Sequence, residues 1–203
     1  PVEIEFAVNM DGHGHHKVFN LLQIRPIVDN KENLTISPEH IISQKCIIVS
    51  ESALGNGVYD NICDVVYVVP EKFNAAETWQ LAQVIEQLNK SMIEEKRNYL
   101  LIGPGRWGSS DPWLGIPVKW SQISAARVIV EAGLNHFHIE PSQGTHFFQN
   151  VTSLNIGCLS VPYGSESFIR WERLHGVAPI RETKYLRLLR WDHPLDIRID
   201  GRR

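Results

Sequence analysis

Four polar residues near the start of the chain have the types and spacing for phosphate and metal chemistry: Glu3 and Glu5, then Gln23 and Arg25. Glu3 and Glu5 stand two apart in Val2 to Val8, where apolar residues alternate with them. As a strand, this segment projects both carboxylates from one face. Gln23 and Arg25 repeat the spacing in a returning strand that starts at Val18, and Asp11-Gly12-His13-Gly14 between the two is a turn signal. Paired in simple antiparallel register, the hairpin gathers two carboxylates, an amide and a guanidinium on one face. Carboxylates hold Mg²⁺, a hard ion that binds oxygen and bridges phosphates. Arg offers a planar fork to phosphate oxygens. Such a set suits a nucleoside triphosphate. From spacing alone the commoner case is a solvated hairpin face on which Arg and Glu are cross-strand partners.

A second candidate is the loop Gly103-Pro104-Gly105-Arg106-Trp107-Gly108, which spells G-x-G-x-x-G directly after the strand-like Tyr99 to Ile102. A dinucleotide fingerprint also requires a helix opening at the third glycine. Ser109-Ser110-Asp111-Pro112 intervenes here, which argues against that fingerprint. Two readings of the loop remain. Backbone amides with Arg106, Ser109, Ser110 and Asp111 would hold an anion; alternatively, a rigid structural loop caps a core with Trp107, Trp113 and Trp120. Ser142-Gln143-Gly144-Thr145-His146 is a polar stretch whose groups, His146 among them, would line the same pocket as Arg106.

The remaining titratable groups form no complete site. His13, His15 and His16 have metal-ligating chemistry but sit in a glycine-rich turn, where solvated histidines are the commoner case. His136 and His138 alternate in a segment read as a strand, with no matching carboxylate or cysteine spacing. Cys46, Cys63 and Cys158 lie far apart with no C-x-x-C pair, which argues against a disulfide scaffold and a cysteine zinc site. No Gly-x-Ser-x-Gly elbow supports a hydrolase.

The elements that must position these residues are a mixture of strands and helices. After Pro26, the polar link Asp29 to Asn33 is the best boundary. Cys46 to Val49 and Val65 to Val69 are β-rich runs on either side of a loop containing Gly55-Asn56-Gly57. From Ala75 to Lys96 the apolar residues Leu81, Ile85, Leu88 and Met92 recur at helical spacing, and Asn74 is a fitting cap. Ser121 to Ala132 reads as a second helix stopped by Gly133. Strands follow at His136–Ile139, Ile156–Val161, Tyr185–Trp191 and Leu195–Ile199, with a short helix over Phe168 to Leu174. The fold class is α+β or mixed α/β, with an N-terminal β-hairpin (1–28) followed by a mixed-sheet domain (34–203) with two main helices.

Glu3-Ile4-Glu5-Phe6 followed by Leu21-Leu22-Gln23-Ile24-Arg25-Pro26 resembles the end of the ATP-grasp domain in the phosphoenolpyruvate synthase and pyruvate phosphate dikinase family. There an acidic-apolar-Glu-aromatic strand precedes a strand reading Leu-Gln-x-Arg-Pro. The resemblance covers residues 1–28. It implies that Glu3 and Glu5 face metal or phosphate and that Gln23 and Arg25 contact the nucleotide phosphates. It further implies a cytoplasmic parent protein, an ATP- and Mg²⁺-dependent phosphotransferase acting between pyruvate and phosphoenolpyruvate. The family's other nucleotide-binding elements would lie upstream, so the rest of the parent polypeptide is an expected partner and the chain alone is expected to be inactive. The family's phosphorylated histidine lies in a Thr-Ser/Cys-His-Ala-Ala stretch. Gly144-Thr145-His146-Phe147-Phe148 shares only Thr and His with it, so the role is not carried onto His146, and no catalytic residue is assigned. From residue 34 onward the chain resembles, more loosely, the trailing region of shorter, divergent phosphoenolpyruvate-synthase-like bacterial proteins. That likeness implies no known chemistry and leaves a rival reading: a non-catalytic scaffold or small-ligand-sensing module.

Composition restricts the remaining classes. Lys and Arg number 20 against 23 Asp and Glu, a net charge of −3, which argues against a broadly basic nucleic-acid surface. No run reaches the length of a membrane span and no signal-peptide pattern is present. A start at Pro1, directly in strand-like sequence, reads as a piece of a longer protein. Exposed hairpin edges would also allow pairing with another copy of the chain.

Overall fold

The computed structural model describes residues 2–9, 18–26, 34, 36, 46–138, 154 and 156–201. The chain divides into two units, residues 1–31 and 32–203.

In the first unit, β1 (Val2–Asn9) and β2 (Val18–Pro26) form a two-stranded antiparallel sheet. Glu3 pairs with Arg25, Ile4 with Ile24 and Glu5 with Gln23, after which the register shifts so that Phe6 faces Leu21. Leu22 is the extra residue of this bulge, which adds local twist. Beyond it the Phe6 and Phe19 rings stack with centroids 5.0 Å apart.

The second unit contains β3 (Ile48–Val49), β4 (Ser52–Leu54), β5 (Asn56–Tyr59), β6 (Asp64–Val68), α1 (Thr78–Glu94), β7 (Tyr99–Pro104), β8 (Arg106–Trp107), β9 (Gly115–Ile116), β10 (Ala126–Ala132), β11 (Gly157–Val161), β12 (Phe168–Ile169), α2 (Trp171–His175), β13 (Arg181–Glu182), β14 (Leu186–Arg190) and β15 (Ile197–Asp200). Seven strands make one sheet in the order β13-β14-β6-β7-β10-β11-β4. The four central strands β6, β7, β10 and β11 are parallel to one another; β14 and β4 flank them antiparallel, and β13 closes one side.

Both faces of this sheet are covered, as parallel sheets require. On one face Leu81, Ile85, Leu88 and Met92 of α1 pack with Leu101, Ile129 and Cys158 of the sheet and with Trp107, Ile116 and Ile123 of the β7–β10 connection. On the other, Tyr67, Ile102, Val128 and Val130 meet Leu174 of α2, Tyr59 of β5 and Ile199 of β15. The helix begins where expected: Asn74 Oδ1 accepts the Ala76 N–H at 3.1 Å, and α1 itself opens at Thr78.

Three expectations from the sequence are corrected. Ser121 to Ala132 is no helix. A single 3₁₀ turn at Trp120–Gln122 leads into β10, whose Val128-Ile129-Val130 core is buried on both faces. A strand buried on both sides has no alternation to betray it, and an apolar run of this kind reads equally as a buried helix. His136 and His138 do not lie on a strand; Leu134 and Phe137 bridge a tight turn that carries both histidines at its surface. Gly55 is a turn between two strands, β4 and β5, and Asn56-Gly57 begins the second of them. Among the described residues, no helix is long and apolar enough to cross a membrane.

Two polar nodes fasten the amino-terminal ends of the central strands. Asp64, 1% exposed, opens β6 and accepts Nε–H bonds from Arg97 and Arg190, each at 2.5 Å. Asn89 of α1 is buried, and its Oδ1 accepts both the Tyr99 hydroxyl and the Ala125 N–H at 3.0 Å. Its amide also reaches Ser124 Oγ at 3.3 Å. Burial pushes the Tyr99 phenol far up from its ordinary range, so it stays protonated as the donor in that bond.

Candidate functional site

The hairpin provides the first candidate set. Directly opposed residues share a face of an antiparallel pair, and residues two apart share it as well. The backbone register opposes Glu3 to Arg25 and Glu5 to Gln23, the pairing expected from the sequence, before the bulge shifts it. Glu5 is half-buried and Gln23 exposed. The opposite face is apolar: Ile4, Phe6, Phe19, Leu21 and Ile24 are each 49–59% exposed. Two oxygen-donor carboxylates fit a hard cation that keeps most of its water and its phosphate ligands. Among the described residues, no group of three or more His, Cys, Asp or Glu side chains comes together in a metal-holding cluster.

The second candidate lies at the carboxyl ends of the parallel strands, where β6, β7, β10 and β11 finish at Val68, Pro104, Ala132 and Val161. This edge is where open α/β sheets bind ligands. The glycine-rich loop leaves β7 here, but it opens no helix; it forms β8, which pairs in parallel with β9. The geometry explains its glycines. Gly105 and Gly108 have φ of 70° and 78°, in the left-handed region. A Cβ on Gly103 would stand 2.5 Å from Trp107 Cζ2, so the indole occupies the room the side chain would need.

Much of the loop's backbone is committed within the protein, which supports the structural one of its two readings. Four successive amides of the loop are already committed: Gly105 N–H to Ala132 O, Arg106 N–H to Leu114 O, Trp107 N–H to Glu131 Oε1 and Gly108 N–H to Ile116 O, at 2.9–3.2 Å. The loop beyond is bonded to itself as well. Ser109 Oγ donates to Asp111 O at 3.0 Å and accepts Asp111 N–H at 3.2 Å, and Asp111 Oδ1 accepts Trp113 N–H at 2.9 Å. The amides of Gly105 to Gly108 are thus committed to Ala132, Leu114, Glu131 and Ile116, which ties the loop to β10 and to the chain around β9. Trp107 is buried, its Nε1–H held by Val130 O at 3.0 Å, whereas Trp113 is presented to solvent at 69% exposure. Arg106 is half-buried and Ser110 exposed at the same loop.

Glu131 is the residue that sequence reasoning missed. It is the penultimate residue of β10, 5% exposed, and paired laterally with Gly103 of β7 and Ser160 of β11. A buried carboxylate is costly unless hydrogen-bonded, and the Trp107 amide supplies such a bond. Its charge also acts on Cys158: burial first, and Glu131 second, push that thiol well above its ordinary range. The available signal was an acidic residue inside a β-branched run, but on a helical reading Glu131 falls on an ordinary polar face.

A third polar group stands at the same edge, where α1 meets the start of β14. Glu77 Oε2 accepts from Lys184 Nζ at 2.5 Å and from the Tyr185 hydroxyl at 2.6 Å. Lys184 first, then Tyr185, holds the Glu77 carboxyl below its usual range. The pairing ties the first turn before α1 to β14.

His136 and His138 are exposed. His138 Nε2 lies 2.7 Å from Asn135 O, and its ring meets Tyr163 edge-on at 5.2 Å. His13, His15, His16 and His146 lie outside the described residues, as does the stretch from Ser142 to Thr145. Comparison with known proteins returned no matching protein-family model, curated protein or solved structure.

Proposed function

We propose that this chain contributes the end of an ATP and Mg²⁺ site to a phosphoenolpyruvate-synthase-like phosphotransferase. The observation that carries the reading is the backbone register of the hairpin, which sets Glu3 opposite Arg25 and Glu5 opposite Gln23. In this reading Glu3 and Glu5 hold the cation, and Gln23 and Arg25 contact phosphate oxygens. Bound there, Mg²⁺ supplies neutralisation of the triphosphate charge. The chain's own residues orient the phosphates, which is most of what phosphoryl transfer asks of a protein. Pyruvate is the proposed acceptor, and the histidine that would relay the phosphoryl group belongs to another part of the parent protein. ATP- and pyruvate-dependent formation of phosphoenolpyruvate by the full-length protein tests the proposal; no turnover with either substrate counts against it.

A second reading concerns residues 34–203 alone: a scaffold or small-ligand-sensing module attached to the nucleotide domain. It is favoured by the carboxyl edge of the central strands, where buried Glu131 and exposed Trp113 share one rigid loop system. With the amides of Gly105 to Gly108 committed, such a ligand would be held by other groups of the loop, its side chains among them. An upstream sequence containing neither a pyruvate-binding barrel nor a phosphohistidine domain would favour this reading over the first.

A further inference from the structure

We draw no further inference here: the strongest candidate, the apolar face of the β1–β2 hairpin formed by Ile4, Phe6, Phe19, Leu21 and Ile24, is exposed along its length, but nothing in the structure shows what covers it.

Discussion

The main-chain N–H of Trp107 donates to Glu131 Oε1 at 3.2 Å, so a strand-end carboxylate and the glycine-rich loop above it hold each other in place. The bond sits where Gly103 has given up its side chain to the Trp107 indole, which in turn donates to Val130 O. Removing the carboxylate therefore strands a buried donor as well as vacating space beside it.

Glu131→Leu and Glu131→Gln separate these effects. Leucine removes the acceptor and leaves the Trp107 amide unsatisfied, a loss of about 1–3 kcal/mol. Glutamine keeps an acceptor oxygen in nearly the same place and should stay within about 1 kcal/mol of the parent chain. Urea unfolding of the three proteins measures both. Equal losses in the two variants would mean that the hydrogen bond is not what Glu131 contributes to stability.

The raised Cys158 thiol makes stability fall in alkali. Below the ordinary thiol value of about 8.5, folded and unfolded chains both keep the proton. Above it the unfolded thiol ionises while the folded one stays neutral, so the unfolded state binds fewer protons and stability drops as pH rises. Cys158→Ala should flatten the stability profile above about pH 8.5, removing a slope of at most about 1.4 kcal/mol per pH unit. Parallel profiles for the two proteins, from unfolding at several pH values, would refute the assignment.

Asn89 should matter more than the tyrosine that binds it. Asn89→Ala leaves the Ala125 N–H and the Tyr99 hydroxyl without their shared acceptor inside the core. The expected cost is about 2–4 kcal/mol, from two buried groups left unsatisfied. Tyr99→Phe removes one donor and leaves Asn89 with its other partners, costing about 1 kcal/mol. If calorimetry gives the reverse order, Asn89 is not the hub of this node.

These residues also mark what the sequence disclosed and what it hid. α1 was legible because Leu81, Ile85, Leu88 and Met92 fall on one face of a helix that is polar on the other. The hairpin was legible because β1 alternates and the turn signal Asp11-Gly12-His13-Gly14 follows it. β10 was not: its apolar residues serve both faces of the sheet, and its period vanishes where burial is two-sided. With β10 misread, Glu131 lost its position beside Gly103, and the sequence left the loop open between an anion site and a rigid structural connector. No local pattern reveals that amides four in a row are claimed by Ala132, Leu114, Glu131 and Ile116, because two of those partners lie more than twenty residues away.

The hairpin yields the functional prediction. If Glu3 and Glu5 hold the cation while Gln23 and Arg25 contact the nucleotide phosphates, Arg25→Ala in the full-length protein removes a charge-assisted contact from those phosphates. Such contacts are worth about 1.5–3 kcal/mol, or roughly one to two powers of ten in ATP-dependent turnover. The 203-residue chain supplies only one hairpin of such a site, and its affinity for ATP is expected to be weak. Calorimetry that finds micromolar ATP binding to this chain, lost in Arg25→Ala, would show that the hairpin is a complete site and not the end of a larger one. Unchanged turnover in full-length Arg25→Ala would instead return the four residues to the role of an ordinary cross-strand polar face.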